Sequence, residues 1–214
     1  MVAGVVEKLA LHEYAASGNC YKIRLTAALL GLRMERVEYD IMKGETRTPE
    51  FLAHINPLGR IPVLQVGQRF LPESNAACFY LAEGSELIPA DRFLRAEMLR
   101  WMFFEQYHHE PNIATVRFWL TMVGTDALSE LQVSQIPAKR LAGEAALQIM
   151  DDHLSLADWF VGNAVSLADI VLFAYTHVAE EGGFDLSLYP AVQAWIARVS
   201  GLPKFVTIDA RRFS

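Results

Sequence analysis

The sequence predicts a chain of two parts, in which an α/β segment built on a mixed sheet precedes an all-helical segment. Up to about residue 85, short strand-like segments are interleaved with helical ones in the order β-α-β-α-β-β-α. Residues 85–89 form a linker, after which the alternating pattern typical of strands is absent and only helical periodicity follows. These observations predict domains at 1–85 and 90–214.

The composition is that of a soluble protein with a buried core. The chain has 214 residues, of which 52% are hydrophobic. Its formal net charge of -6 and the lack of a Lys/Arg run disfavour nucleic-acid binding. It has neither the features of a secretory signal nor an apolar stretch near the ~20 residues that span a membrane, so we expect a cytosolic protein. Two cysteines without a Cys-x-x-Cys pair support neither a disulfide framework nor a zinc site.

The first strand and helix are marked by local signals. The run from Leu9 to Tyr14 fits a strand, and the following Ala-Ser-Gly-Asn stretch ends it. Ser17 or Asn19 can cap a helix that begins near Cys20, and Gly31 can end that helix.

The next elements are a strand and a short helix. Apolar and charged residues alternate over 36–41, which is the pattern of a half-buried strand. Pro49 suits the first turn of a helix, because the N–H it lacks would have no intrahelical partner there. The composition of residues 56–59 predicts a turn that ends this helix.

A hairpin and a third helix complete the α/β segment. Two short strands, 61–66 and 69–71, are separated by Gly67-Gln68, a two-residue loop typical of hairpins. Ser74 is then predicted to cap a helix that ends at Gly84.

The second half shows helical patterns only. One helical face is formed by Leu94, Met98, Trp101 and Met102. Pro111 and Pro137 predict breaks, and a long helix is expected over 138–154. Residues 166–169 have the spacing of a capping box, with Asp in place of the usual Glu, and the last clear helix opens at Pro190.

These motifs together resemble the cytosolic glutathione transferase superfamily over nearly the whole chain. The resemblance rests on residues 17–24, 56–64, 73–76, 166–169 and 190–195, in that order and spacing. It implies a thioredoxin-like N-terminal domain that binds glutathione and an all-helical domain that shapes the pocket of a small hydrophobic electrophile. It also implies that glutathione is a substrate, that no metal is required, and that the protein forms a homodimer.

The resemblance assigns a glutathione-binding role to five residues. It implies a cis bond between Ile61 and Pro62, so that the backbone N–H and C=O of Ile61 meet the cysteinyl part of glutathione. Ser74 at a helix N-terminus would bind the γ-glutamyl carboxylate, and Glu73 would pair with the ammonium group. Lys43 would meet the glycyl carboxylate.

The catalytic residue has several candidates in the first strand-to-helix turn. The reaction requires a donor that lowers the pKa of the glutathione thiol, which is near 8.5 when free. Ser17 matches the catalytic position of the theta-, zeta- and nu-like classes. Asn19 lies where the nu-like class has a second polar contact. Cys20 has the Gly-x-Cys spacing of the beta class. Tyr14 lies near the catalytic tyrosine position of other classes.

The helical half offers candidates for the electrophile pocket. Residues 105–111 contain two histidines and two carboxylates, but the spacing is not His-Glu-x-x-His, so a metal site is disfavoured. The stretch resembles a helix that faces the active-site cleft in bacterial transferases. By that resemblance Tyr107, His108 and Arg117 line the electrophile pocket.

Two alternatives to conjugation stay open at this stage. A glutathione-dependent disulfide or peroxide reductase on the same fold would be favoured by Cys20 or by the nu-like polar pair. A non-catalytic interaction protein could have kept the fold and lost thiol activation. The electrophile itself is not encoded in any motif.

Overall fold

The computed structural model of the chain describes residues 8–210, which divide into two compact units. One unit comprises the described residues up to Glu83 together with those from Pro203 onward, and the other is Gly84–Leu202. The first unit boundary lies between Glu83 and Gly84. The C-terminal residues 203–210, which the sequence placed with the helices, instead pack with the α/β unit.

The α/β unit contains a four-stranded mixed sheet. Its elements are β1 (Leu9–Glu13), α1 (Gly18–Leu30), β2 (Glu35–Glu38), α2 (Pro49–His54), β3 (Val63–Val66), β4 (Arg69–Pro72) and α3 (Ser74–Ala82). The strand order is β2-β1-β3-β4, with β1 parallel to β2 and antiparallel to β3, and with β3 antiparallel to β4. The predicted order of elements and the mixed sheet are confirmed.

Local signals set most of these boundaries. Helix α1 begins after Ser17, whose side chain accepts the N–H of Cys20, and ends at Gly31 with a φ of 69°. Strand β2 is shorter than predicted, because the Asp40 side chain accepts the N–H groups of Met42 and Lys43 and starts a 3₁₀ turn.

The described part of the second unit consists of helices joined by turns and loops. Its helices are α4 (Arg92–Phe104), α5 (Glu110–Phe118), α6 (Glu130–Leu154), α7 (Leu167–Thr176) and α8 (Pro190–Ser200). A π-helical turn over Glu105–His109 joins α4 to α5, and a second follows α5 over Trp119–Gly124. Among the described residues, no helix is both long and apolar enough to cross a membrane.

The predicted break at Pro137 is wrong. Helix α6 begins earlier, at a capping box formed by Ser129 and Gln132, and continues through Pro137. Proline cannot donate to the carbonyl four residues before it, that of Val133. Because Pro137 and Val133 are both exposed, water can satisfy this carbonyl, and the long helix tolerates the interruption.

Asp169 is the polar centre of the helical unit. Its carboxylate is fully buried and accepts bonds from the backbone N–H groups of Ser166 at 2.9 Å and Phe160 at 3.2 Å. It also accepts the indole N–H of Trp195 at 3.0 Å and the Ser166 hydroxyl at 3.1 Å. The side chain therefore connects the N-terminus of α7 to α8 and to the loop before α7, which confirms the predicted structural role of this box.

We expect Asp169→Ala to lower the free energy of unfolding of the helical unit by about 3–4 kcal/mol, because the buried donors lose their acceptor. All four tryptophans of the chain, at positions 101, 119, 159 and 195, lie in Gly84–Leu202, so urea titration followed by tryptophan fluorescence reports on this unit. The control is Asp185→Ala, which removes an exposed cap and should cost about 1 kcal/mol. Equal losses for the two variants would contradict a special role for Asp169.

Candidate functional site

The register of the sheet brings three strand ends to one edge. Val63, the first residue of β3, lies opposite His12 of β1 and Pro72 of β4. The turn after β1, the segment before β3 and the start of α3 therefore leave the sheet at the same edge. The parallel strand β2 ends there as well, since Glu38 lies opposite Glu13. Every residue that the sequence assigned to glutathione follows or precedes one of these strand ends.

A tight turn positions Ser17 at the N-terminus of α1. The backbone N–H of Ser17 donates to the carbonyl of Tyr14 at 2.9 Å, and the Ser17 hydroxyl accepts the N–H of Cys20 at 3.4 Å. A hydroxyl has one proton to donate and two lone pairs. The Ser17 hydroxyl also forms a hydrogen bond with the Cys20 side chain, which acts to lower the pKa of that thiol. Because a hydroxyl proton rotates to suit its partner, it can be donated instead to a ligand at this helix end.

The N-termini of α1 and α3 are joined by a hydrogen bond. The Ser74 hydroxyl donates to the side-chain oxygen of Asn19 at 3.3 Å, and Ser74 is buried. The first amides of a helix have no intrahelical acceptor and carry the positive end of the helix dipole. Two such ends meet here, and the arrangement favours an anionic ligand.

Glu73 has a backbone conformation that is rare for its residue type. It occupies the cap position of α3 with a φ of 72°, so Ser74 is the first helical residue rather than the cap that the sequence predicted. Left-handed conformations of non-glycine residues are strained and concentrate at functional sites. The Glu73 side chain is exposed next to the buried Ser74.

The bond between Ile61 and Pro62 is cis, as the resemblance implied. Ile61 borders a cleft of about 270 Å³, whose lining is Ile41, Thr46, Arg47, Gly59, Arg60 and Ile61. Gly59 has a φ of 60°, and a Cβ at this position would approach the Thr46 carbonyl to 2.9 Å. The cleft therefore depends on a glycine in the turn before Ile61.

Lys43 and Asn56 occupy surface and structural positions in this region. Lys43 is exposed and pairs with Asp40 at 2.9 Å, and the hydrogen bond from this pair raises the pKa of Lys43. The Asn56 side chain accepts the N–H of Leu58 at 3.0 Å and donates to the carbonyl of Arg60 at 2.9 Å. Asn56 thus holds the turn that precedes the cis bond.

Cys20 lies in the same turn as Ser17 but faces the interior. It is completely buried, and its sulfur accepts the backbone N–H of Tyr14 at 3.5 Å. Burial raises the pKa of the Cys20 thiol to about 12. Because a thiolate is the reactive form, this environment argues against Cys20 as a nucleophile. Cys78, within α3, is buried as well.

The three residues assigned to the electrophile pocket lie in different environments of the helical unit. Tyr107 is 77% exposed and His108 is exposed, both in the first π-helical turn. Arg117 is buried, and its guanidinium donates to Glu181 at 2.7 Å. Arg117 therefore supports the interior of the helical unit instead of offering a cation to a pocket.

The sequence analysis missed the buried charges around α1. Lys22 and Arg24 are almost completely buried although they lie on the first helix, and Lys22 donates to the side chain of Asn75 at 3.3 Å. Glu13, at the end of β1, is also fully buried. The sequence did contain a signal for this burial, namely two cations in an otherwise apolar helical stretch. Such a pattern ordinarily indicates an exposed helix face, so the burial was not predicted. Among the described residues, no group of three or more His, Cys, Asp or Glu side chains could hold a metal ion.

The chain matches the model of the glutathione S-transferase N-terminal domain over residues 8–83 and that of the C-terminal domain over residues 117–203. It is 46% identical to a glutathione S-transferase of Pseudomonas fluorescens. The match to that crystal structure has a TM-score of 0.88 and covers 94% of this chain and 98% of that one. A possible glutathione S-transferase from Rhodopseudomonas palustris is 45% identical, with a TM-score of 0.90 over 96% of this chain and 92% of that one.

A relative from an animal shows that the similarity is not confined to bacterial proteins. Glutathione S-transferase 2 of Anopheles gambiae is 30% identical over 207 residues, which cover 89% of this chain and 95% of that protein. The α/β unit is thus a thioredoxin-like domain, and it is followed in sequence by the helical domain of the same family. Since both domains match in order, this chain belongs to the glutathione S-transferase family.

Proposed function

We propose that this protein is a glutathione transferase in which Ser17 activates the glutathione thiol for attack on a small hydrophobic electrophile. The observation that carries the proposal is the meeting of two helix N-termini, joined through Asn19 and Ser74, next to a serine hydroxyl with a proton to donate. An anion is favoured at this point for reasons that do not depend on the family. A thiolate and a carboxylate are the anions that glutathione supplies.

The required electrostatic effect is modest. Lowering the thiol pKa by two units corresponds to about 2.7 kcal/mol of preference for the thiolate. A hydrogen bond to a charged group contributes about 1.5–3 kcal/mol. A helix N-terminus adds about 0.3–1 kcal/mol. The Ser17 hydroxyl together with the N-terminus of α1 is therefore sufficient, and Asn19 assists by holding Ser74.

The remaining parts of glutathione have partners along the same edge of the sheet. Ser74 and the first amides of α3 would bind the γ-glutamyl carboxylate, and the exposed Glu73 its ammonium group. The backbone of Ile61, before the cis proline, would pair with the cysteinyl amide. For the glycyl carboxylate we now favour Arg47 and Arg60, because both line the cleft next to Ile61.

Lys43 is a weaker candidate for the glycyl carboxylate. Its ammonium group is already paired with Asp40 on an exposed turn, and it does not line the cleft next to Ile61. Binding glutathione there would require Lys43 to exchange one carboxylate for another in water, which is worth little.

The helical domain would supply the electrophile pocket and the subunit contacts. Tyr107 and His108 remain candidates for the pocket, whereas the ion pair with Glu181 removes Arg117 from that set. Phe93 and Phe103 of α4 are 71% and 64% exposed, which supports a homodimer that covers them. A cytosolic homodimer is thus part of the proposal.

The two alternatives receive less support. A disulfide or peroxide reductase that works through Cys20 would need an accessible thiolate, and this thiol is buried with a raised pKa. A non-catalytic protein would not need the strained Glu73 or a serine hydroxyl at the N-terminus of α1. Failure of the purified protein to bind glutathione would favour the non-catalytic alternative.

Replacing Ser17 by Ala should raise the pKa of bound glutathione by about one unit or more and lower kcat/KM about 100-fold, because the thiolate loses its donor. The pKa is measured from the thiolate absorbance during a pH titration. Thr48→Ala is the control, since Thr48 caps α2 by accepting the N–H of Phe51 at 3.2 Å and lies outside the turn. An unshifted pKa in Ser17→Ala would exclude Ser17 as the activating residue.

Replacing Arg47 or Arg60 by Gln should raise KM for glutathione about tenfold and leave kcat nearly unchanged, because a carboxylate far from the reacting sulfur is bound equally before and during the reaction. Steady-state kinetics at saturating electrophile give both constants. Lys43→Gln is the matched control and should leave KM unchanged. A larger effect in Lys43→Gln than in the two arginine variants would restore Lys43 to the site.

Neither cysteine of the native protein should react with Ellman's reagent at neutral pH within minutes, whereas both should react in denaturant, because both thiols are buried. Cys20→Ser should keep conjugating activity within about twofold of the wild type, as should the control Cys78→Ser. A native thiol that reacts rapidly, together with loss of thiol–disulfide exchange in Cys20→Ser alone, would support the reductase.

A further inference from the structure

The C-terminal tail, residues 203–210, is held on the α/β unit by three side chains. Tyr21 donates its hydroxyl to the carbonyl of Val206 at 2.6 Å. One terminal nitrogen of Arg24 donates to the carbonyl of Ile208 at 2.7 Å. A terminal nitrogen of Arg36 donates to the carbonyl of Ala210 at 2.7 Å. Alternate carbonyls of the tail are thus bound to α1 and β2, although this segment matches no sequence motif.

Arg24 also contacts the turn before Ser17. Its second terminal nitrogen donates to the carbonyl of Ala15 at 2.6 Å. Ala15 lies inside the turn that the bond from Ser17 to Tyr14 closes. The guanidinium therefore binds the turn on one side and the tail on the other.

A buried carboxylate forms an ion pair with this guanidinium, although the contact lacks the geometry of a hydrogen bond. Glu13, at the end of β1, faces the Nε of Arg24 at 3.2 Å, and the side chains of both residues are at most 2% exposed. Arg36 binds the other oxygen of the same carboxylate. A planar guanidinium offers five N–H groups in a rigid fork, so its contact with one partner sets its geometry toward the others. Lysine could retain the charge but not this set of bonds.

We propose that Arg24 is a positioning residue for catalysis, which holds the Ala15 carbonyl and thereby Ser17, and that the C-terminal tail keeps Arg24 in place. The inference rests on the proposed role of Ser17. Arg24 itself contacts neither Ser17 nor the substrate-binding residues in any bond described above. Its effect passes through the backbone of the turn, where a small displacement of a hydroxyl weakens its bond to a thiolate.

Arg36 provides a matched control for Arg24. It shares Glu13 and the Ala210 carbonyl with Arg24, but among the described residues it makes no bond to the turn. Arg36→Lys therefore perturbs the same buried carboxylate and the same tail, but it keeps the bond from Arg24 to the Ala15 carbonyl. Tyr21→Phe removes one tail bond and leaves every contact of Glu13 intact.

The test compares Arg24→Lys, Arg36→Lys and Tyr21→Phe with the wild type by two measurements. The first is the pKa of bound glutathione, and the second is hydrogen exchange of the Ser17 and Cys20 amides. We expect Arg24→Lys to raise the thiol pKa by about half a unit to one unit and to speed exchange about tenfold. Tyr21→Phe and Arg36→Lys each remove one tail bond and leave the Ala15 carbonyl bound to Arg24, so both should shift the two measurements in the same direction by less than Arg24→Lys does.

Each outcome separates the positioning role from the proposed function. An ordinary thiol pKa in the wild type would overturn the role of Ser17, while hydrogen exchange would still decide whether Arg24 holds the turn. A lowered pKa in the wild type that Arg24→Lys leaves unchanged would overturn the positioning role. Equal effects in Arg24→Lys and Arg36→Lys would assign the change to the buried carboxylate as a whole. If Arg24→Lys does not fold, an unchanged turn in Tyr21→Phe overturns the part assigned to the tail.

Discussion

The candidate site depends on the antiparallel register of β3 against its two neighbours. Because Val63 lies opposite both His12 and Pro72, the turn that carries Ser17, the cis bond and the start of α3 meet at one edge. A slip of one residue in a strand would turn its side chains to the other face of the sheet. Asn19 and Ser74 would then no longer lie within hydrogen-bond distance. The site therefore depends on strand pairing as well as on its sequence motifs.

Directly beneath this edge the protein buries a charge. Taking Glu13 out of water is costly unless the carboxylate is paired with cations and most of their N–H groups find acceptors. Two arginines form ion pairs with the carboxylate, and the tail carbonyls and Ala15 accept bonds from their terminal nitrogens. Within residues 8–210 the Nε of Arg24 and the Glu13 oxygen that it faces make no hydrogen bond. The tail therefore belongs to the α/β unit for a physical reason, because without it the guanidinium groups would be buried with unused donors.

The sequence predicted the features that local chemistry decides. Ser17 and Gly31 at the ends of α1 and the hairpin around Gly67 were found because each satisfies its own backbone groups or turn geometry. The features that the sequence predicted wrongly depend on solvent exposure and on contacts with distant residues. Pro137 lies within a helix because solvent satisfies the carbonyl it leaves open, and the place of the C-terminal tail depends on side chains more than 170 positions away, such as Arg36. The burial of Cys20 and Arg24 depends on packing that no motif records.

The contrast between Ser17 and Cys20 supports the proposal that the nucleophile is the sulfur of glutathione and not a sulfur of the protein. Both lie at the same helix N-terminus, where the dipole favours a thiolate. For Cys20 the loss of water outweighs that favour, and its pKa rises to about 12. Ser17, one helical turn earlier, is partly exposed and has a proton to donate. In the proposed function, the positive helix end acts on a sulfur that arrives from solvent and not on the buried sulfur of Cys20. This difference favours conjugation over disulfide exchange through Cys20.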